Sequence, residues 1–408
     1  MRIDIGIGSS TQPVDVPDKQ LLGVLRPNQA PVGIVGPAAV ARALREPIES
    51  PPLRELVGPG EKIAIITSDI TRPLPSYQVL PAVLDELAAA GVDMNDVVVV
   101  FALGVHRKHT EGEMRRLVGD ASFERVRCLD GDPADAVHLG VTGSGTPVDI
   151  ARPVAEADKR IGLGNIEYHY FAGYSGGAKA IMPGVSTRAA IQANHSRMVL
   201  PEAAAGRLED NPLRLDIEEA MRFCPLHFIV NVVLNEKKEI IRAVAGHHRA
   251  AHREGCRFLD SLYRVGIRRR ADIVIASQGG FPKDINLYQT QKALDNAKHA
   301  VRDGGIIILA GSCREGLGED VFEEWMLGAD SPSSLITRIQ ADFQLGGHKA
   351  AAIAMVLQRS EVYLVSDLEP EFVRRLFFSP YPTVQEAFAA ARRKIGADAS
   401  VIVMPYGG

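Results

Sequence analysis

Residues 62–101 read KIAIITSDITRPLPSYQVLPAVLDELAAAGVDMNDVVVVF. The runs KIAIIT (62–67) and DVVVVF (96–101) are β-branched and almost continuously apolar, as buried strands are. Between them, 78–90 repeats its apolar residues at helical period, and 110–118 does so after the second run. This alternation is the α/β pattern. It restarts with ADIVIAS (271–277), a helix from about 287 to 302, IIILAG (306–311) and EVYLVS (361–366), which predict a second, Rossmann-like α/β sheet. Residues 228–234 and 239–245 flank NEKK (235–238) and read as a hairpin, so the N-terminal sheet is expected to be mixed. The basic, turn-prone segment 264–270 sets the boundary, giving domains 1–265 and 266–408. The final strand, 400–404, is compatible with either sheet.

With 408 residues, at roughly 100–200 per domain, each domain can bury its own core. Hydrophobic residues at 46% and charged residues at 24% exclude a disordered or fibrous chain. A net charge of −4 supplies no basic field for nucleic acid. The four cysteines are scattered without a C-x-x-C pair, which fits a reducing, cytoplasmic setting. No signal-peptide core opens the chain, and the longest apolar stretch, 97–105, falls far short of the ~20 residues that span a bilayer. No membrane role is expected.

In open α/β sheets, ligands bind beyond the carboxyl ends of the strands. Three loops at such positions are rich in functional groups: SDITRP (68–73), GVHR (104–107) and QGGFPKD (278–284). Asp69 with Arg72, taken alone, reads equally well as a turn carboxylate beside a surface arginine. The densest stretch is EYHYFAGYSGGAKAIMPG (167–184), whose glycines permit close backbone approach and an anion nest. It is not a Walker A loop, because Lys179 lies between Ala178 and Ala180. A lysine among small apolar neighbours tends toward a depressed pKa suited to covalent chemistry; the alternative is a surface lysine on a flexible loop.

Ser186 is placed to cap a helix on which Ile191, His195 and Val199 share a face. His195 then points inward, either as a core histidine or as a metal ligand, while His106 and His169 lie in glycine-rich segments after strands. In the second half, Tyr288, Gln289 and Lys292 open a helix, where an amide and an ammonium suit a small carboxylate. Asn286-x-x-Gln289 also fits a capping box that would occupy Gln289. Spacing leaves both readings open.

Together, SDITRP, GVHR, HYFAGYSGGAK (169–179), His195 and YQTQK (288–292) resemble, in order and over most of the chain, the nickel-dependent lactate racemase family. His169 lies ten residues before Lys179 and His195 sixteen after it, as in that family. The resemblance implies an isomerase, a racemase or epimerase of a small 2-hydroxy acid, working in a cleft between two α/β domains. It implies a nickel-pincer nucleotide made by separate cofactor-synthesis enzymes, a pyridinium mononucleotide whose two thiocarboxyl groups help hold nickel. Lys179 would be its covalent anchor and His195 the protein's ligand to nickel. Asp69, Ile70, Thr71 and Arg72 would contact the cofactor, His106 and His169 would be the acid/base pair, and Gln289 and Lys292 would hold the substrate carboxylate. The family prototype has a tryptophan near its substrate. The only one here is Trp325, and GGHKA (346–350) occupies the corresponding stretch with an extra cation that could favour another substrate side chain.

Chemistry accords with these implied roles. Removing the C2 proton of a 2-hydroxy acid would build negative charge beside a carboxylate, whereas proton-coupled hydride transfer through a 2-keto acid avoids it. Two rival readings are a zinc- or iron-dependent sugar-acid lyase or dehydratase with the same histidines as ligands, and a non-enzymatic nucleotide-binding module. An NAD dehydrogenase is disfavoured, since no G-x-G-x-x-G follows a strand with an acidic residue about twenty positions on.

Overall fold

The apolar runs at 62–67 and 96–101 become the strands Ile63–Ser68 and Val97–Ala102, buried except at their last residues and neighbours inside one sheet. Burial on both faces explains why neither run alternates with polar residues. The computed structural model describes residues 1–28 and 33–408. The chain forms two units, one comprising Gln29–Tyr263 and the other Met1–Asn28 with Arg264–Gly408.

The first of these holds a six-stranded sheet in the order Ile240–Gly246, Phe228–Leu234, Lys159–Asn165, Ile63–Ser68, Val97–Ala102 and Arg127–Asp130. All pairings are parallel except the Phe228–Leu234/Ile240–Gly246 hairpin, so the sheet is mixed as expected. The helix Ser76–Ala89 buries Val79, Leu80, Val83, Leu84 and Leu87 against the sheet. The next helix, Glu111–Val118, starts at a capping box in which Thr110 and Glu113 satisfy each other's backbone N–H groups. Loops 69–75 and 103–110 therefore leave the carboxyl ends of adjacent parallel strands.

In the other unit, six strands run parallel in the order Ser379–Tyr381, Glu361–Val365, Val301–Ala310, Ala271–Ser277, Val401–Met404 and Leu21–Val24. This corrects the assignment of the whole 1–265 segment to one domain, because residues 1–28 belong with the C-terminal sheet. Leu21–Val24 pairs with Val401–Met404, and Ile3, Ile5, Ile7, Val14 and Val16 share a core with Ile273, Ile275 and Val403. The final strand likewise returns to this sheet and not to the other. The helix expected to reach residue 302 ends at Ala297, since Val301 already pairs with Ala271.

Candidate active site

Asp69 follows the strand Ile63–Ser68 and is buried, with its carboxylate committed on both oxygens. Thr71 Oγ1 donates to Oδ1 at 2.8 Å, and His106 Nδ1 lies 2.5 Å from Oδ2. Burial works against its ionisation, yet the hydrogen bond and charge of His106 hold the Asp69 carboxyl below the usual carboxylate value. Since a carboxylate accepts, the neutral form of His106 carries its hydrogen on Nδ1 and presents Nε2 as a lone pair, whereas the protonated form carries hydrogen on both. Ile70 is fixed from behind: its N–H donates to His109 Nε2 at 3.0 Å, while His109 Nδ1 donates to Asp130 Oδ1 at 2.6 Å. Sequence reading missed this pair. His109 stands three residues after His106, and Asp130 ends the strand Arg127–Asp130, so recognising that strand would have exposed the signal.

His169 has the opposite polarity. Ala172 N–H donates to its Nδ1 at 3.3 Å, which places the hydrogen of the neutral ring on Nε2. Phe171 then gathers the remaining groups: its ring centroid lies 4.4 Å from that of His169, 4.9 Å from that of His195 and 6.0 Å from Lys179 Nζ.

His195 is buried at the end of the helix Arg188–His195. That helix is capped by Thr187, whose side chain accepts from Ala190 N–H, and not by Ser186, which instead donates to Ile181 O. The ring Nδ1 donates to Asn194 Oδ1 at 3.0 Å, directing its lone pair to Nε2. Asn194 is held in turn by Asp216 at 2.7 Å, a fully buried carboxylate that also accepts from Thr142 and Thr146. Such an outer chain is how proteins set the tautomer and aim of a ligating imidazole. Among the described residues, no three His, Cys, Asp or Glu side chains converge as a metal-ligand group.

Lys179 sits in the short turn Gly177–Ala180, with part of its side chain still reachable. Burial of the amine, reinforced by the positive charges of Arg72 and Arg214, pushes its pKa well below the ordinary lysine value. The loop beneath it is clamped from the protein side. Gly177 N–H donates to Asn231 Oδ1 at 2.8 Å, and His252 Nε2 donates to Ser175 O at 2.8 Å. Arg214, fully buried against Glu218, reaches His252 Nδ1 at 3.1 Å and Tyr174 O at 3.3 Å. A Cβ at Gly177, where φ is +59°, would fall 2.9 Å from the His252 ring. The glycine is required by close approach as well as by its backbone angle.

In the other unit, Asn286 caps the helix Leu287–Ala297 by accepting from Gln289 N–H at 3.0 Å. The reciprocal half of a capping box, which would occupy the Gln289 side chain, is not made among the described residues. Gln289 is half-buried on this first turn, and Lys292 is exposed on the next. Trp325 is a core residue, packed against Gly347 with its indole N–H on Gln344.

The family model of the lactate racemase N-terminal domain matches residues 7–206, and that of the lactate racemase C-terminal domain matches 267–408. A lactate racemase of Thermoanaerobacterium thermosaccharolyticum is 35% identical, covering 99% of this chain and 97% of its own length. One from Lactiplantibacillus plantarum is 35% identical over 90% of this chain and 89% of its own. The solved structure of the lactate racemase apoprotein from T. thermosaccharolyticum superposes with a TM-score of 0.86 at 34% identity, covering 100% of this chain and 98% of that one. A Thermotoga maritima protein at 18% identity, with a TM-score of 0.62 and coverage of 91% and 96%, shares the fold. No helix among the described residues is long and apolar enough to cross a membrane.

Proposed function

The chain belongs to the lactate racemase family and is an isomerase, and from that premise we propose that it inverts C2 of a 2-hydroxy acid using a nickel-pincer nucleotide tethered to Lys179. The names of its relatives make lactate the first substrate to test. The observation that carries the reading is the Phe171 ring, with His169, His195 and the Lys179 amine around it. This donor set fits the cofactor. A recessed amine with a depressed pKa is a nucleophile able to form a thioamide, and an imidazole with an oriented Nε2 lone pair is a nickel ligand. Bound there, the cofactor supplies an electrophile able to accept and return the C2 hydrogen as hydride.

The protein's own residues manage the protons and the pose. His106 accepts the hydroxyl proton at Nε2, and Asp69 stabilises the imidazolium that results. His169 is its counterpart and returns a proton only in its own imidazolium form, so the pair works with one ring neutral and the other protonated. One base and one acid allow the hydroxyl proton to be removed and restored for either enantiomer. Asp69 thus positions His106, while Ile70, Thr71 and Arg72 of the same turn serve the cofactor. Gln289, on the first turn of its helix, where the macrodipole also favours an anion, holds the substrate carboxylate together with Lys292 on the following turn.

Chain co-expressed with the cofactor-synthesis enzymes is expected to gain the nucleotide's mass at Lys179, to contain nickel and to racemise lactate with retention of C2 deuterium. A fully active preparation with unmodified Lys179 would rule out the tether. Deuterium wash-out as fast as racemisation would rule out hydride transfer.

A further inference from the structure

Lys349 opens the helix Gly347–Leu357 and is 7% exposed, yet no carboxylate lies within ion-pair distance of it among the described residues. Its ammonium donates to Tyr288 O at 2.6 Å and lies 3.7 Å from the Tyr288 ring centroid. Tyr288 immediately precedes Gln289 and lies one helical turn from Lys292, so the buried cation abuts the turn assigned above to the substrate carboxylate. The charged groups facing it come from two elements, the helix Leu287–Ala297 and the cap of the helix Asp320–Leu327. Lys292 repels it; Asp295 and Glu319 attract it, but both are engaged elsewhere. Asp295 accepts from Lys298 at 2.6 Å, and Glu319 caps the helix Asp320–Leu327 through Val321 and Phe322 N–H. His348, its neighbour on the same helix, accepts from Gly346 N–H.

A buried ammonium repelled by another lysine, set against a carbonyl and an aromatic face and without an ion-pair partner among the described residues, is costly until an anion arrives. We propose that Lys349 is a specificity-determining residue that takes the second carboxylate of a 2-hydroxy dicarboxylate, whose first carboxylate rests on Gln289 and Lys292. This rests on the reading of those two residues given above. In the ligand-free protein, burial and Lys292 push the Lys349 amine down to about 7, so it sheds its proton readily and regains it when a carboxylate binds.

The test uses holoenzyme, with malate and lactate as probes, in wild type, Lys349→Met and Lys349→Arg. Wild type is expected to favour malate in kcat/KM, and its KM for malate is expected to rise with pH above about 7, approaching tenfold per unit. Lys349→Met is expected to lower the malate-to-lactate ratio at least about tenfold. Lys349→Arg, always charged, is expected to keep the preference and lose the pH dependence. Racemisation with a ratio unmoved by Lys349→Met overturns this assignment and leaves the reaction standing. If instead no 2-hydroxy acid changes handedness, yet calorimetry shows malate bound more tightly than lactate and the difference lost in Lys349→Met, the reaction falls and the assignment stands.

Discussion

The Asp69 carboxylate faces Nδ1 of His106 and the Ala172 N–H faces Nδ1 of His169, so the two rings carry hydrogen on different nitrogens when neutral. Replacing either imidazole with alanine is expected to lower kcat by about 10²–10⁴ while the nucleotide's mass remains on the protein. Lys179→Ala is expected to lose that mass altogether, as intact-mass measurement will show. His109→Ala acts one step removed, by freeing Ile70 N–H and the turn that aims Asp69, so its loss should fall on kcat more than on KM. The Lys349 amine also bears on stability. Its folded pKa of about 7 lies below the ordinary 10.5, so between those values the unfolded chain binds the extra proton and stability climbs with rising pH. Lys349→Met should flatten that part of the profile in denaturant titrations. Most of these side chains were legible because the site motifs are contiguous in sequence. Asp130, Asn231 and His252 were not, since each acts across the fold on a residue far from it in the chain.

Elements were easiest to read where one face or both are apolar, as in Ile63–Ser68, Val97–Ala102 and the Phe228–Leu234 hairpin. Their ends were harder, because ends are decided by individual hydrogen bonds. The helix bearing His195 begins at Thr187 and not at Ser186 because Ser186 turns back to Ile181 O, a contact that spacing does not encode. Thr187→Ala should therefore cost about 1 kcal/mol in chemical denaturation and loosen His195 with it, whereas Ser186 is not the cap. Within the glycine loop, Asn231→Ala leaves Gly177 N–H buried without its acceptor. A loss of about 1–3 kcal/mol is expected, together with poorer acylation of Lys179 by amine reagents followed by mass spectrometry.

Across the whole molecule, the alternation of strands and helices predicted two α/β sheets, but not which sheet receives residues 1–28. Strand-forming residues of the Leu21–Val24 type are equally at home on either edge, and only the pairing with Val401–Met404 decides. A fragment spanning 29–263 contains all six strands of its sheet and should unfold cooperatively by itself. One spanning 264–408 lacks an edge strand and the Arg2–Ile7/Ser10–Asp15 hairpin, leaving apolar groups such as Ile273, Ile275 and Val403 short of cover. It should bind hydrophobic dyes and lose its cooperative transition, and both defects should be reversed by fusing 1–28 back. The same interleaving has a meaning for biosynthesis. Leu21–Val24 leaves the ribosome early but cannot find its neighbour until residue 404 has been translated, while the intervening unit can settle first. The nascent chain must carry one bare strand edge until Val401–Met404 emerges, so chaperone engagement should centre on that segment and end only then.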